Sequence, residues 1–218
     1  TLRIGLPEVF CFIGRLPPVG EGQALFHPGG VALSGQGGSI DGGGFVRCSA
    51  YWLGPGLHDN PNVTNKTERI HSFDTFIAQN DYYVQFLQTN FFTGFQTTPE
   101  SAKPLAEIEN GYDFEGIYRF QTASFEDSIT VNKGFVQKFP WPADKPIEIL
   151  FIDIAKTQRT NDFCVSNYFP AMIPGKTILI QQDLYTFLGY LHLIMEYFAD
   201  YFDVLVPQVG TSRVYLYK

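Results

Sequence analysis

The segment Ile147-Glu148-Ile149-Leu150-Phe151-Ile152 is apolar at all but one position and stops at a carboxylate, Asp153. A run without polar alternation leaves neither face for water, the pattern of a parallel strand covered by helices on both sides. Thr177-Ile178-Leu179-Ile180-Gln181 repeats the pattern, after the turn Ile173-Pro174-Gly175-Lys176 and before Gln182-Asp183. The stretch Thr160 to Met172 has room for a crossover helix, so the default connection is a right-handed β-α-β unit. Asp153 and Asp183 then share the carboxyl edge of one sheet.

The rest of the chain fits the same plan. Arg69 to Asp74 reads as a strand that again ends in an acid, and Gly116 to Gln121 as another. From Leu184 to Phe202, apolar residues at three- and four-residue steps (Leu184, Phe187, Leu188, Leu191, Ile194, Met195, Phe198, Phe202) predict one helical face packed on the core. Phe202–Pro207 and Ser212–Tyr217, joined by Gln208-Val209-Gly210-Thr211, predict a closing antiparallel hairpin. Residues 80–115 are too long for a plain loop. They predict a helix near Tyr82 to Leu87 and an aromatic insertion through Phe91, Phe92 and Phe95 that covers a ligand. Residues 1–36, rich in Gly and Pro, read as an irregular lead-in. The expectation is a single α/β domain over 1–218, with a Rossmann-like, doubly wound, mostly parallel sheet and a C-terminal antiparallel hairpin.

Composition narrows the partners. A chain of 218 residues with net charge −7 presents a surface that repels nucleic-acid phosphates and anionic membranes. The most apolar window, Leu184 to Met195, is interrupted by Gly189 and His192 and is short of a membrane span. Cys11, Cys48 and Cys164 form no metal or redox pair and read as free thiols of a reducing cytoplasm. The sequons at Asn62 and Asn65 are read as chance. These features predict a soluble cytoplasmic protein acting on a small molecule, with self-association left open.

The chemistry-bearing signal is Asp41-Gly42-Gly43-Gly44, where a short strand would meet a helix through Tyr51, Trp52 and Leu53. Glycines at such a turn let a ligand approach the backbone. Asp74 follows at the end of the next strand, where a carboxylate can accept both hydroxyls of a ribose. An acid before the glycines repels a pyrophosphate but suits a cationic group, and the G-x-G-x-x-G spacing is absent. A nicotinamide-dependent oxidoreductase is therefore disfavoured.

Four segments in this order, Asp41-Gly42-Gly43-Gly44, Ile70-His71-Ser72-Phe73-Asp74-Thr75-Phe76, Leu150-Phe151-Ile152-Asp153 and Ile173-Pro174-Gly175-Lys176-Thr177-Ile178 with Gln182-Asp183, resemble class I S-adenosylmethionine-dependent methyltransferases. They are most similar to the macrocin O-methyltransferase-like branch, which modifies natural-product sugars and phenols. The resemblance covers roughly Gly37 to the C-terminus and implies O-methylation of a small hydroxylated acceptor. It implies that Gly42, Gly43 and Gly44 lie against the methionine part of S-adenosylmethionine and Asp41 near its amino group. Asp74 would hold the ribose, and Thr122 to Glu126, with Ala123 and Ser124, would wall the adenine.

That branch binds a divalent cation with a carboxylate after the fourth strand and an adjacent pair after the fifth. The resemblance implies Mg²⁺ at Asp153, Gln182 and Asp183, with Gln182 standing where the family has an acid. Catalysis would fall to Asp153 and Lys156, since Ile154-Ala155-Lys156 replaces the family's base. Other readings stay open: Asp153 and Asp183 as helix caps, and His58, His71 or His192 as the base. A non-catalytic binding protein on a degenerate methyltransferase scaffold is the alternative function.

Overall fold

The computed structural model of the chain describes residues 35–43, 49–60, 63–67, 69–94, 108–186 and 188–218. Most of the lead-in, Gly44, Cys11, Cys48 and residues 95–107 of the expected insertion lie outside the described residues.

Seven strands form one sheet in the order β3-β2-β1-β4-β5-β7-β6. They are β1 (Gly38–Gly42), β2 (Ile70–Asp74), β3 (Ile129–Lys133), β4 (Ile147–Ile152), β5 (Ile178–Gln181), β6 (Phe202–Val209) and β7 (Ser212–Tyr217). β1 to β5 pair in parallel, and β7 runs antiparallel to both β5 and β6. The order reverses at β1, which pairs with both β2 and β4, so the crevice over its carboxyl end is the natural ligand position of such a sheet.

All six residues of β4 are buried. Ile149 and Phe151 join one core with Leu57, Phe76 and Tyr118, while Leu150 and Ile152 join a second with Ile40, Leu179 and Tyr168. The doubly covered strand expected from the apolar run is thus observed, each fully buried Ile or Leu contributing roughly 1.5–3 kcal/mol. The crossover helix α4 spans Gln158–Tyr168, and its N-cap is Thr157, whose hydroxyl accepts from Thr160 N at 3.2 Å.

Three expectations are corrected. Gly116 to Gln121 is not a strand but part of a helix, α3 (Glu115–Thr122). Ile117, Tyr118, Gln121 and Thr122 are its buried side, a helical spacing, and Glu115 pairs with Arg119 one turn on at 2.7 Å. The third strand is instead Ile129-Thr130-Val131-Asn132-Lys133, at the sheet edge. The long helical face from Leu184 is shortened: α5 spans only Gly189–Tyr197, because Asp183 adopts φ 57° and the chain turns before resuming a helix. In the closing hairpin, β6 runs on to Val209, leaving Gly210 (φ 58°) and Thr211 as the turn.

The remaining helices are α1 (Ser49–Asp59) and α2 (Asp81–Gly94), the latter covering the helix expected near Tyr82. β6 forms the outer edge of the sheet, carries Pro207, and shifts register on both sides of Val206. Among the described residues, no helix is long and apolar enough to cross a membrane.

Candidate active site

The carboxyl ends of β1, β2, β3 and β4 surround a cleft of ≈ 200 Å³ whose lining includes Gly43, Asp74, Tyr83, Phe135, Asp153 and Lys156. Topology brings these residues together: β1 lies between β2 and β4, so Gly43, Asp74 and Asp153 leave adjacent strands at the same edge.

Asp74 ends β2 with its side chain turned to the following loop. Oδ1 accepts from Phe76 N at 2.8 Å and from the Thr75 hydroxyl at 3.4 Å. The Thr75 backbone N–H adds a further bond to the carboxylate, which lines the cleft. Burial raises the carboxyl above its ordinary value, partly offset by these donors. Phe76 is held at φ 55°, an unusual conformation for a non-glycine residue, by complete burial against Phe114 and Tyr118.

Gly43 lines the cleft and has a packing reason to be glycine besides the ligand approach expected from the sequence. At φ 122°, a Cβ there would stand 2.8 Å from Asp153 Cβ. The missing side chain lets the β1 turn press onto Asp153, while Gly43 N donates to Phe73 O at 3.0 Å. Gly42 is similarly tight against Ile154.

Asp41 is fully buried beneath this turn. Ser49 and Ser72 donate to its two oxygens, Ser72 at 2.8 Å, and the Ala50 backbone N–H adds a third bond. Tyr118 donates in turn to the Ser72 hydroxyl at 2.5 Å. Asp41 therefore anchors the first turn of α1, where a carboxylate also meets the favourable end of the helix dipole. Burial pushes its carboxyl up to about 6. The residue is not among those that line the cleft.

Asp153 and Asp183 converge on Lys156, whose Nζ donates to Asp153 Oδ1 and Asp183 Oδ2. Asp183 reaches it from a left-handed backbone, and Thr211 holds its other oxygen at 3.3 Å. Burial raises the Asp153 carboxyl to about 6 against the lowering pull of Lys156. For Lys156, burial alone would lower the ammonium, but Asp153 and Asp183 together raise it above the ordinary lysine value. A base needs the opposite shift, so these surroundings favour Lys156 as a held cation over the base expected from the sequence. Neither acid caps a helix, as Thr157 and Leu188 occupy the N-cap positions of α4 and α5.

Gln182 is not brought to this group. Its backbone N donates to Ile152 O at 3.0 Å and its carbonyl accepts from Gln181, with no side-chain bond to the cluster among the described residues. Ala123 and Ser124 are also elsewhere. They form a 3₁₀ turn between α3 and β3, at the amino end of the strand, because the strand expected before them is a helix. Gly134, Phe135, Val136 and Gln137, after β3, line the cleft instead. The signal for them was the β-branched run Ile129-Thr130-Val131 followed by a glycine. None of the three candidate histidines lines the cleft: His71 contacts Lys145 and Trp141, His58 lies near Phe125, and His192 packs on Tyr185.

The residues do not fit a divalent cation. The space between the two carboxylates holds an ammonium, the third expected ligand makes no side-chain bond to the group among the described residues, and those residues contain no group of three His, Cys, Asp or Glu side chains arranged for a metal.

No protein-family model and no curated protein matches the sequence. Among solved structures, the chain is similar to the O-methyltransferase NovP, with a TM-score of 0.54 at 14% identity over 84% of this chain and 72% of that one. At that identity the likeness is one of fold. It supports the Rossmann-like, mostly parallel sheet with a closing antiparallel hairpin expected from the sequence.

Proposed function

We propose that the chain is an S-adenosylmethionine-dependent methyltransferase acting on an oxygen of a small hydroxylated acceptor. The observation that carries this is Asp74, a carboxylate at the carboxyl end of the strand beside the β1 turn that lines the cleft with Gly43, where it can accept paired hydroxyls. The fold shared with NovP supports it. So does the charge of the cleft, since Asp74 and Asp153 outnumber Lys156 in its lining and favour a cationic ligand.

When bound, S-adenosylmethionine supplies an electrophilic methyl group, whose bond to sulfur breaks with the electron pair left on sulfur as a bond to the acceptor oxygen forms. Asp74 would hold the ribose hydroxyls, and Phe135 and Val136 would wall the base. Holding the acceptor in line is the main catalytic contribution available here. The acceptor's hydroxyl proton must also leave. Asp153 is suited to receive it, because a carboxyl near 6 is mostly ionised at neutral pH yet basic enough to share a proton. Burial raises Asp41 to a similar value, but it is fully buried and does not line the cleft. The ammonium at Lys156 favours a second reading, a module that binds the cofactor without transferring its methyl group.

Binding of S-adenosylhomocysteine tests the proposal. At a hundred times its dissociation constant it should stabilise the chain by about 2.7 kcal/mol, read as a raised Tm. Asp74→Ala should weaken binding by about 1.5–3 kcal/mol through loss of charged hydrogen bonds. No Tm shift up to millimolar ligand removes both readings; binding without turnover on any hydroxylated acceptor selects the second.

A further inference from the structure

We infer that the ammonium of Lys156 is the resident cation of this site, held between Asp153 and Asp183 where a divalent ion would otherwise sit, and that the cleft operates without metal. Three independent features carry this. Nζ bonds one oxygen of each carboxylate, so a single group bridges residues that leave different strands, β4 and β5. Asp183 accepts an unusual backbone, φ 57°, with Thr211 fixing its second oxygen, which aims the first at the ammonium. The residue that would complete an oxygen set, Gln182, has its backbone engaged by Ile152 and Gln181 and sends no side-chain bond to the group among the described residues.

A hard divalent ion needs several oxygens at short range, and bringing one here means evicting a covalently tethered charge. Lysine supplies one positive charge against two negative ones, so the cluster keeps a net negative charge beside the cleft. Unlike a metal, this cation cannot dissociate, be chelated or vary with ion supply. The inference goes beyond methyl transfer and stands on the ion cluster alone.

Manganese is the probe, because it takes the same oxygen ligands as magnesium and its free-ion spin-resonance signal falls on binding. The intact chain should leave that signal unchanged up to about 1 mM, the weak end of carboxylate sites. Lys156→Met should then create one site binding at least about tenfold tighter, since two uncompensated carboxylates attract a divalent charge. Adding Asp153→Asn to that variant should abolish the gain. Should Lys156→Met lose its fold by circular dichroism, Lys156→Gln carries the same comparison. The inference is overturned if the parent binds manganese and Asp153→Asn removes it, or if the folded lysine variants bind no more tightly than the parent. S-adenosylhomocysteine binding, measured on the same samples, separates the two proposals, as its loss would sink the methyltransferase reading while leaving the manganese result to stand by itself.

Discussion

Asp41 and Asp153 end neighbouring strands, and burial pushes both carboxyls up to about 6, yet the molecule compensates them by different means. Around Asp41, compensation comes from the hydroxyls of Ser49 and Ser72 and the backbone N–H of Ala50 in the first turn of α1, all neutral donors. Around Asp153, compensation comes from an ammonium on a half-exposed side chain that faces the cleft together with it. The difference teaches that an acid at the productive edge of a sheet takes its role from what reaches it. Hydroxyls from packed elements make it structural, and a charged side chain from the following loop keeps it chemical.

The two regions touch at Gly43, so the largest expected effect comes from forcing them apart. Gly43→Ala places a methyl 2.8 Å from Asp153 Cβ at φ 122°, and should cost about 3 kcal/mol in urea unfolding through overpacking and backbone strain. An unchanged midpoint would mean the turn and Asp153 are not pressed together.

The Asp41 shell is tested by pH. Its folded value, about 6, lies above the ordinary 3.8, so the native state holds this proton more tightly than the unfolded chain. Stability from this group is therefore greatest in acid and falls as pH rises through about 6. Asp41→Asn removes that titration, and its stability curve should diverge from the parent's by on the order of 3 kcal/mol between acid and neutral pH. Parallel curves would show that Asp41 titrates normally and is not sealed.

The smallest effect belongs to the other side. Asp183→Asn breaks an ion pair whose lysine is 44% exposed. It should change stability by less than about 1 kcal/mol. A loss as large as that of Gly43→Ala would make the ion cluster a structural element and erase the contrast.

How much of this was legible in the sequence follows the range of the interactions. β4 and β5 were readable because strands buried on both faces must be apolar throughout, and the acids after them mark an edge. Asp74 was readable as a strand end. The strand expected at Gly116–Gln121 failed because apolar residues in so short a segment fit either period: Tyr118 and Phe120 stand two apart, yet Phe120 is exposed and the buried side is Ile117, Tyr118, Gln121 and Thr122. That slip moved the expected adenine wall from the loop after β3 to Ala123 and Ser124. The sealing of Asp41 depends on Ser72, thirty-one residues away in the chain, and the meeting of Lys156 with Asp183 on twenty-seven. Such pairings follow from sheet order, which no local pattern records.

The outer strand β6 carries a further consequence. Its backbone lacks an N–H at Pro207, the Pro207 carbonyl is already taken by Tyr185 and Arg213, and the register shifts on both sides of Val206. A strand from another molecule arriving at that edge meets an interrupted ladder instead of a continuous template. The sheet is thereby a poor template for further strand addition on this side.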